Sequence, residues 1–229
     1  MSIADRPSTS KRQTIADEVF AYLRDEIISL TIEPGTHLSE AEVAKKFEVS
    51  RQPVREAFLR LGDLDLLLIR PQKATLVKKI SLAEIAHTRF VRQAVEVEIV
   101  RVASQIASEQ SIEMLRESLR LQGKARNDND PVQLRLLDYD FHHLICKAAK
   151  QPNAFAVVSD FKAHTDRICR IELDDEEGMA ETIEGHTRIV EAIAGKDPIA
   201  AAENARDHLA HLDSTLQSAQ AKFPQYFEL

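Results

Sequence analysis

The 229-residue chain has no tryptophan, three tyrosines and 5% aromatic residues in all. Sheets draw heavily on aromatic side chains, so this scarcity, beside an abundance of Ala, Leu, Ile, Val, Glu and Arg, points to a mainly α protein. Cysteine is almost as rare. Cys146 and Cys169 stand apart without CxxC spacing, in apolar or helical surroundings, which argues against a disulfide framework and for two reduced core thiols. No apolar run approaches the roughly 20 residues of a membrane span, and the polar opening "MSIADRPSTSKRQ" lacks the apolar centre of a signal peptide. The expected location is the cytoplasm, with no membrane partner. The length suits two domains, each able to bury a core.

Positive charge is also in short supply, with a net charge of −7, but its distribution is uneven. Residues 1–79 carry 13 Lys+Arg against 12 Asp+Glu, net +1, whereas the remainder carries 17 against 25, net −8. Within Arg51–Lys79 the count is 7 basic to 3 acidic. A polyanion would therefore be met by this segment alone.

The polar residues 1–13, without periodicity, are expected to form a flexible arm. Apolar residues at 3–4 spacing predict a helix over 14–30, closed by the turn at Glu33–Gly35. "LSEAEVAKKF" opens with a capping-box pattern, Ser39 with Glu42, and predicts a short second helix from about Glu40 to Phe47. Ser50 is placed as the cap of a third helix reaching about Leu64. Two short helices joined by so tight a turn make a helix-turn-helix. In "LLLIRPQKATLVKK", 66–69 and 75–78 suit two short strands with 71–73 as their turn, which completes a winged helix. From Ser81 onward helices are expected at about 82–107, 111–127, 131–150, 153–172, 179–195 and 197–220.

In "VSRQPVREAF", Arg51 and Arg55 lie at i and i+4 on one side of the third helix, with Ser50 and Gln52 at its N-terminal end. Arginine forks pair with guanine edges in a major groove, and helix N-termini favour phosphate. An isolated arginine pair more often marks a solvated face; the turn before it and the hairpin after it shift the balance to DNA reading. The string "LSEAEVAKKFEVSRQPVREAFLRL" resembles the winged-helix segment of the GntR family of bacterial transcription regulators, over about residues 14–79. Asp65 and Ala74 stand where that family often has glycine. Ala74 lies in the wing, so the resemblance leaves Lys73 as the residue to reach a phosphate there.

"LDYDFHHLI" puts Asp138 and His142 one turn apart on a face shared with Leu134, Phe141 and Ile145. A carboxylate and an imidazole so placed can share a divalent cation, and burying them unpaired is costly. His186 and His208 lie on later helices, but Asp160/His164, His143 and His211 are alternatives that spacing alone does not remove. The stretches "DYDFHHLI", "EGHTRIVEAI" and "AAENARDHLAHL" resemble the ligand-bearing segments of the FCD effector domain found in FadR-type GntR regulators. That resemblance implies a metal held by Asp138, His142, His186 and His208, with Zn or Ni ahead of Mn, Co or Fe. It also implies that Arg92, in "TRFVRQAVEVEI", points into the same pocket to meet an anionic effector. The competing role for Arg92 is an ion pair with Glu96 inside its own helix.

The expected protein is mainly α: an N-terminal winged helix-turn-helix (14–79) followed by an all-α helical-bundle effector and dimerisation domain (80–229). The expected function is a DNA-binding transcription regulator, a repressor, which acts as a homodimer on operator DNA under the control of a small organic acid. An Asp/His cluster in a metal-dependent hydrolase or lyase is the alternative, but no general base stands beside the cluster in the sequence.

Overall fold

A computed structural model describes residues 14–70, 73–172, 176–210 and 212–228. They fall into two compact units, residues up to 27 with 31–78, and residues 28–30 with 79 onward. The expected arm at 1–13, and most of the expected turn at 71–73, lie outside the described residues.

The first unit begins with α1 (Ile15–Ile28). Here a reciprocal cap forms: the Asp17 N–H donates to Thr14 Oγ1 at 3.1 Å, and the Thr14 N–H donates to Asp17 Oδ2 at 2.9 Å. Strand β1 (His37–Leu38), α2 (Glu40–Lys46) and α3 (Arg51–Asp63) follow. Neither Ser39 nor Ser50 makes the side-chain cap expected of it; both sit at extended N-cap positions without that bond. Solvent can satisfy amides at such partly exposed helix starts, which removes the need for a cap. Glu48, between α2 and α3, takes a left-handed φ of 56°, and the Val49 N–H closes the turn onto Ala44 O at 3.0 Å. Strands β2 (Leu67–Leu68) and β3 (Thr75–Val77) are shorter than expected and are joined by β1 into an antiparallel sheet of order β1-β3-β2. Val19, Leu23, Val54, Phe58, Leu61, Leu66 and Val77, all at most 1% exposed, form the core under α3.

The second unit is helical: α4 (Leu82–Ile106), α5 (Glu109–Asn127), α6 (Pro131–Ala148), α7 (Ala154–Glu172), α8 (Glu176–Ala194), α9 (Pro198–Ala210) and α10 (Leu212–Lys222). The single helix expected over 197–220 is thus described as α9 and α10, with His211 outside the described residues. Ser108 and Asp130 cap α5 and α6 through their side chains, and Pro131 opens α6 where a missing N–H costs nothing. Asn129, Lys150 and Lys196, in the turns before α6, α7 and α9, take positive φ. Helix α4 packs against α6, α7, α8 and α9, while α5 packs against α6 and α8. The core runs through Val100, Leu115, Phe141, Ile145, Ile189 and Ile193. No described helix is long and apolar enough to cross a membrane.

Candidate DNA-reading helix and candidate metal centre

Val54, Ala57, Phe58 and Leu61 are buried under α3, which leaves the other side of its first two turns to solvent. Ser50, Arg51, Gln52 and Arg55 are all exposed there. The Arg55 side chain is 68% exposed, and among the described residues its one ion-pair contact, Glu40 on α2, is distant at 4.0 Å. Exposed pairs of that length contribute little, so the guanidinium is available to a partner. Lys73 is exposed beside β3. Asp65, just after α3, adopts φ 57° and pairs with Lys78 at 2.6 Å. The backbone there requires the left-handed region, which glycine enters freely and aspartate tolerates better than most residues.

In the helical unit, four side chains from three helices converge. Asp138 and His142 come from α6, His186 from α8 and His208 from α9. One donor atom from each lies within 4.8 Å of the other three, the single such group among the described residues. The alternatives fall elsewhere: His143 stacks on Phe155 at 4.5 Å, Asp160 is exposed, and neither Asp160 nor His164 joins the cluster.

The hydrogen bonding around the cluster determines which atoms face inward. Gln122 on α5, wholly buried, donates through Nε2 to Ser118 at 3.3 Å, which leaves its Oε1 to accept from His186 Nδ1 at 2.8 Å. His186 Nε2 is then a lone pair, and among the described residues it has no hydrogen-bond partner although it is fully buried. Asp138 Oδ1, 3.3 Å away, is another acceptor. Two buried acceptors facing each other repel unless a cation lies between them. His142 Nδ1 lies 2.7 Å from Glu96 Oε2, an ion-pair approach without hydrogen-bond alignment, and its Nε2 lies 3.7 Å from Asp138 Oδ1. The other oxygen of Asp138 is taken by Lys162 Nζ at 2.7 Å. The Gln122 amide fixes the tautomer of His186 as groups behind metal-bound imidazoles do. The donor set, three imidazoles and a carboxylate, therefore fits a divalent ion.

Gly185 makes room for the fourth donor. A Cβ at this position would lie 2.8 Å from His208 Nδ1, closer than carbon and nitrogen can approach. Charge states follow the same layout. Burial raises the Glu96 carboxyl, but the Arg92 guanidinium and His142 outweigh it and hold it well below the usual carboxylate range. Burial also raises the Asp138 carboxyl, but Lys162, His142 and His186 together outweigh it and hold it well below the usual carboxylate range. Burial lowers His186 and His208, so both imidazoles are neutral at pH 7.

Arg92 makes the expected ion pair with Glu96 and also faces the cavity. Its Nε donates to Glu96 Oε1 at 2.7 Å, its Nη1 donates to Thr165 Oγ1 at 2.8 Å, and it lines a cavity of about 260 Å³ shared with Asp138, His142 and His208. Sequence reasoning missed Gln122, Lys162, Thr165, Asp166 and Gly185, and treated Glu96 only as a rival for Arg92.

Residues 15–77 match the model of bacterial regulatory proteins of the gntR family, and residues 88–211 match that of the FCD domain. The chain is 31% identical over 215 residues to the HTH-type transcriptional repressor RspR of Escherichia coli K12, covering 94% of both chains. The chain belongs to the GntR family. Among other GntR relatives, the transcriptional repressor NanR of Klebsiella aerogenes is 27% identical over 80% of this chain and 77% of its own. The solved structure of E. coli McbR/YncC superposes with a TM-score of 0.74 at 21% identity, over 93% of this chain and 99% of that one, a likeness of fold. This GntR protein is a transcription regulator. Both matched families are regulatory rather than enzymatic, so the hydrolase or lyase alternative has no support in its relatives.

Proposed function

We propose that this GntR-family regulator is a metal-containing repressor that binds operator DNA as a homodimer and responds to a small organic acid in its helical unit. Residues 14–79 form the DNA-reading domain. There Arg51 and Arg55 address base edges, Ser50 and Gln52 support the approach of the α3 N-terminus, and Lys73 meets phosphate. Residues 80–229 form the effector and dimerisation domain. The observation that carries the metal reading is the lone pair of His186, buried without a hydrogen-bond partner among the described residues and aimed at Asp138 beside two further imidazoles.

Asp138, His142, His186 and His208 would hold the ion, with Zn or Ni favoured and Mn, Co or Fe compatible with the same donors. When bound, the ion supplies a positive point of attachment for a carboxylate at the inner end of the cavity. Arg92, fixed by Glu96 and Thr165, orients the same carboxylate.

Protein purified without an affinity tag is expected to carry one divalent ion per chain. Chelation should lower its melting temperature, and small carboxylates should raise that temperature only in the loaded protein. His186→Ala or His208→Ala should abolish the stoichiometric metal, and His164→Ala should not. A full metal complement in both of the first two variants would refute the assigned site.

A further inference from the structure

Helix α7 supplies no metal donor, yet one of its faces forms a wall of the cavity. Lys162, Thr165, Asp166 and Cys169 recur at i, i+3, i+4 and i+7, and three of them line the cavity while Thr165 holds Arg92. Lys162 is 7% exposed; its ammonium pairs with Asp138 Oδ2 at 2.7 Å and donates to Asp166 Oδ1. An ammonium has three N–H donors and a carboxylate several acceptor positions. Among the described residues these two hydrogen-bonded contacts leave one donor on Lys162 and the second oxygen of Asp166, whose carboxylate also feels the charges of Arg92 and Arg135 at the same cavity. A donor and an acceptor thus stand side by side at the cavity wall.

An alkyl chain lying against this wall would remove water from both groups without replacing it, at the cost of two unmet hydrogen bonds. A hydroxyl group both donates and accepts, so it satisfies the pair. We propose that Lys162 and Asp166 are specificity-determining residues that read hydroxyl groups on the acid, so that the effector is a short polyhydroxylated monocarboxylate rather than an aliphatic acid. This rests on the effector reading above: the carboxylate end goes to Arg92 and the ion site, and the hydroxylated carbons run along α7. Sites built to hydrogen-bond a hydroxyl reject analogues that lack it far more strongly than apolar pockets reject an extra methylene.

Four-carbon monoacids of equal charge test this on full-length, zinc-loaded protein by calorimetry: butyrate, 2-hydroxybutyrate, 3-hydroxybutyrate and erythronate. Erythronate is expected to bind at least about tenfold tighter than butyrate, and several-fold tighter than 2-hydroxybutyrate, whose single hydroxyl controls for direct chelation. Asp166→Asn and Asp166→Ala, with zinc content and melting temperature confirming an intact site, should reduce the preference for erythronate to that of 2-hydroxybutyrate. Butyrate should bind these variants within about twofold of the parent. Equal binding of all four acids, or a preference that survives both variants, overturns the role of α7 and leaves the effector reading standing. Failure of all four to bind the loaded protein overturns both.

Discussion

Two positions show how one residue's geometry governs what surrounds it. At Asp65 the backbone needs a positive φ, and the departure from glycine is accommodated because aspartate tolerates that region and its carboxylate pairs with Lys78. At Gly185 the constraint is space alone. Within an ordinary helix, Gly→Ala stabilises by up to about 1 kcal/mol. Here the added methyl would occupy the site of His208. Gly185→Ala should therefore keep its helical circular dichroism yet lose roughly 10–100-fold in metal affinity; unchanged affinity in a competition titration would contradict the crowding argument. His142 sets the pH behaviour. Burial pushes its imidazole down, and the Glu96 and Asp138 carboxylates overcome this and lift it to about 9. The folded metal-free protein keeps that proton while the unfolded chain sheds it near pH 6.5, so its stability falls as pH rises from 6.5 through 9. Below 6.5 the unfolded chain protonates His186 and His208, which burial keeps neutral in the fold, and stability falls again. A maximum in melting temperature at about pH 6.5 is expected of the chelated parent. A chelated parent whose melting temperature climbs steadily from pH 6.5 to 9 would rule this out.

Among the elements, long periodic segments were readable and short or cooperative ones were not. Apolar spacing located α1, α3 and the effector helices within a few residues. Strand β1, two residues long, offers no alternation to detect and exists only through its pairing with β3. The capping box was misplaced because Thr14–Asp17 and Ser39–Glu42 carry similar patterns, and local sequence does not say which start solvent will satisfy. In the site, spacing offered Asp138/His142 and Asp160/His164 alike, and resemblance selected Asp138, His142, His186 and His208 and added Arg92. The supporting residues stayed hidden because Gln122 looks like any polar helical residue and Lys162–Asp166 looks like a solvated i,i+4 pair. On α3 the exposed Arg55 gives a direct test. Arg55→Ala should weaken operator binding by roughly 1–3 kcal/mol and relax preference at one base pair of each half-site. Lys73→Ala should instead weaken all sequences alike and lower the salt slope by about one unit. Binding of operator and random DNA in the parental ratio by the Arg55 variant would remove its base-reading role.

Across the whole molecule, the proposed switch needs only that the acid bind the DNA-competent and DNA-released states unequally. Arg92 is suited to sense the ligand, because its guanidinium touches the cavity, Glu96 on its own helix and Thr165 on α7, and Glu96 in turn touches His142. A carboxylate drawing on Arg92 thereby acts on α4, α6 and α7 together. Coupling between two binding sites is reciprocal: whatever factor the acid takes from operator affinity, operator must take from acid affinity. Typical coupling of about 1–3 kcal/mol corresponds to roughly 5–150-fold. Two titrations on the same protein should therefore agree, one of operator at increasing acid and one of acid at saturating operator. Removing the metal should abolish both effects, and Arg92→Ala should shrink both by the same factor while leaving the metal in place. If acid releases the operator equally well from metal-free protein, the ion is structural and the effector acts without it. If the two factors differ at equilibrium, the acid binds somewhere other than a single site linked to DNA, and the cavity beside Arg92 is not the switch.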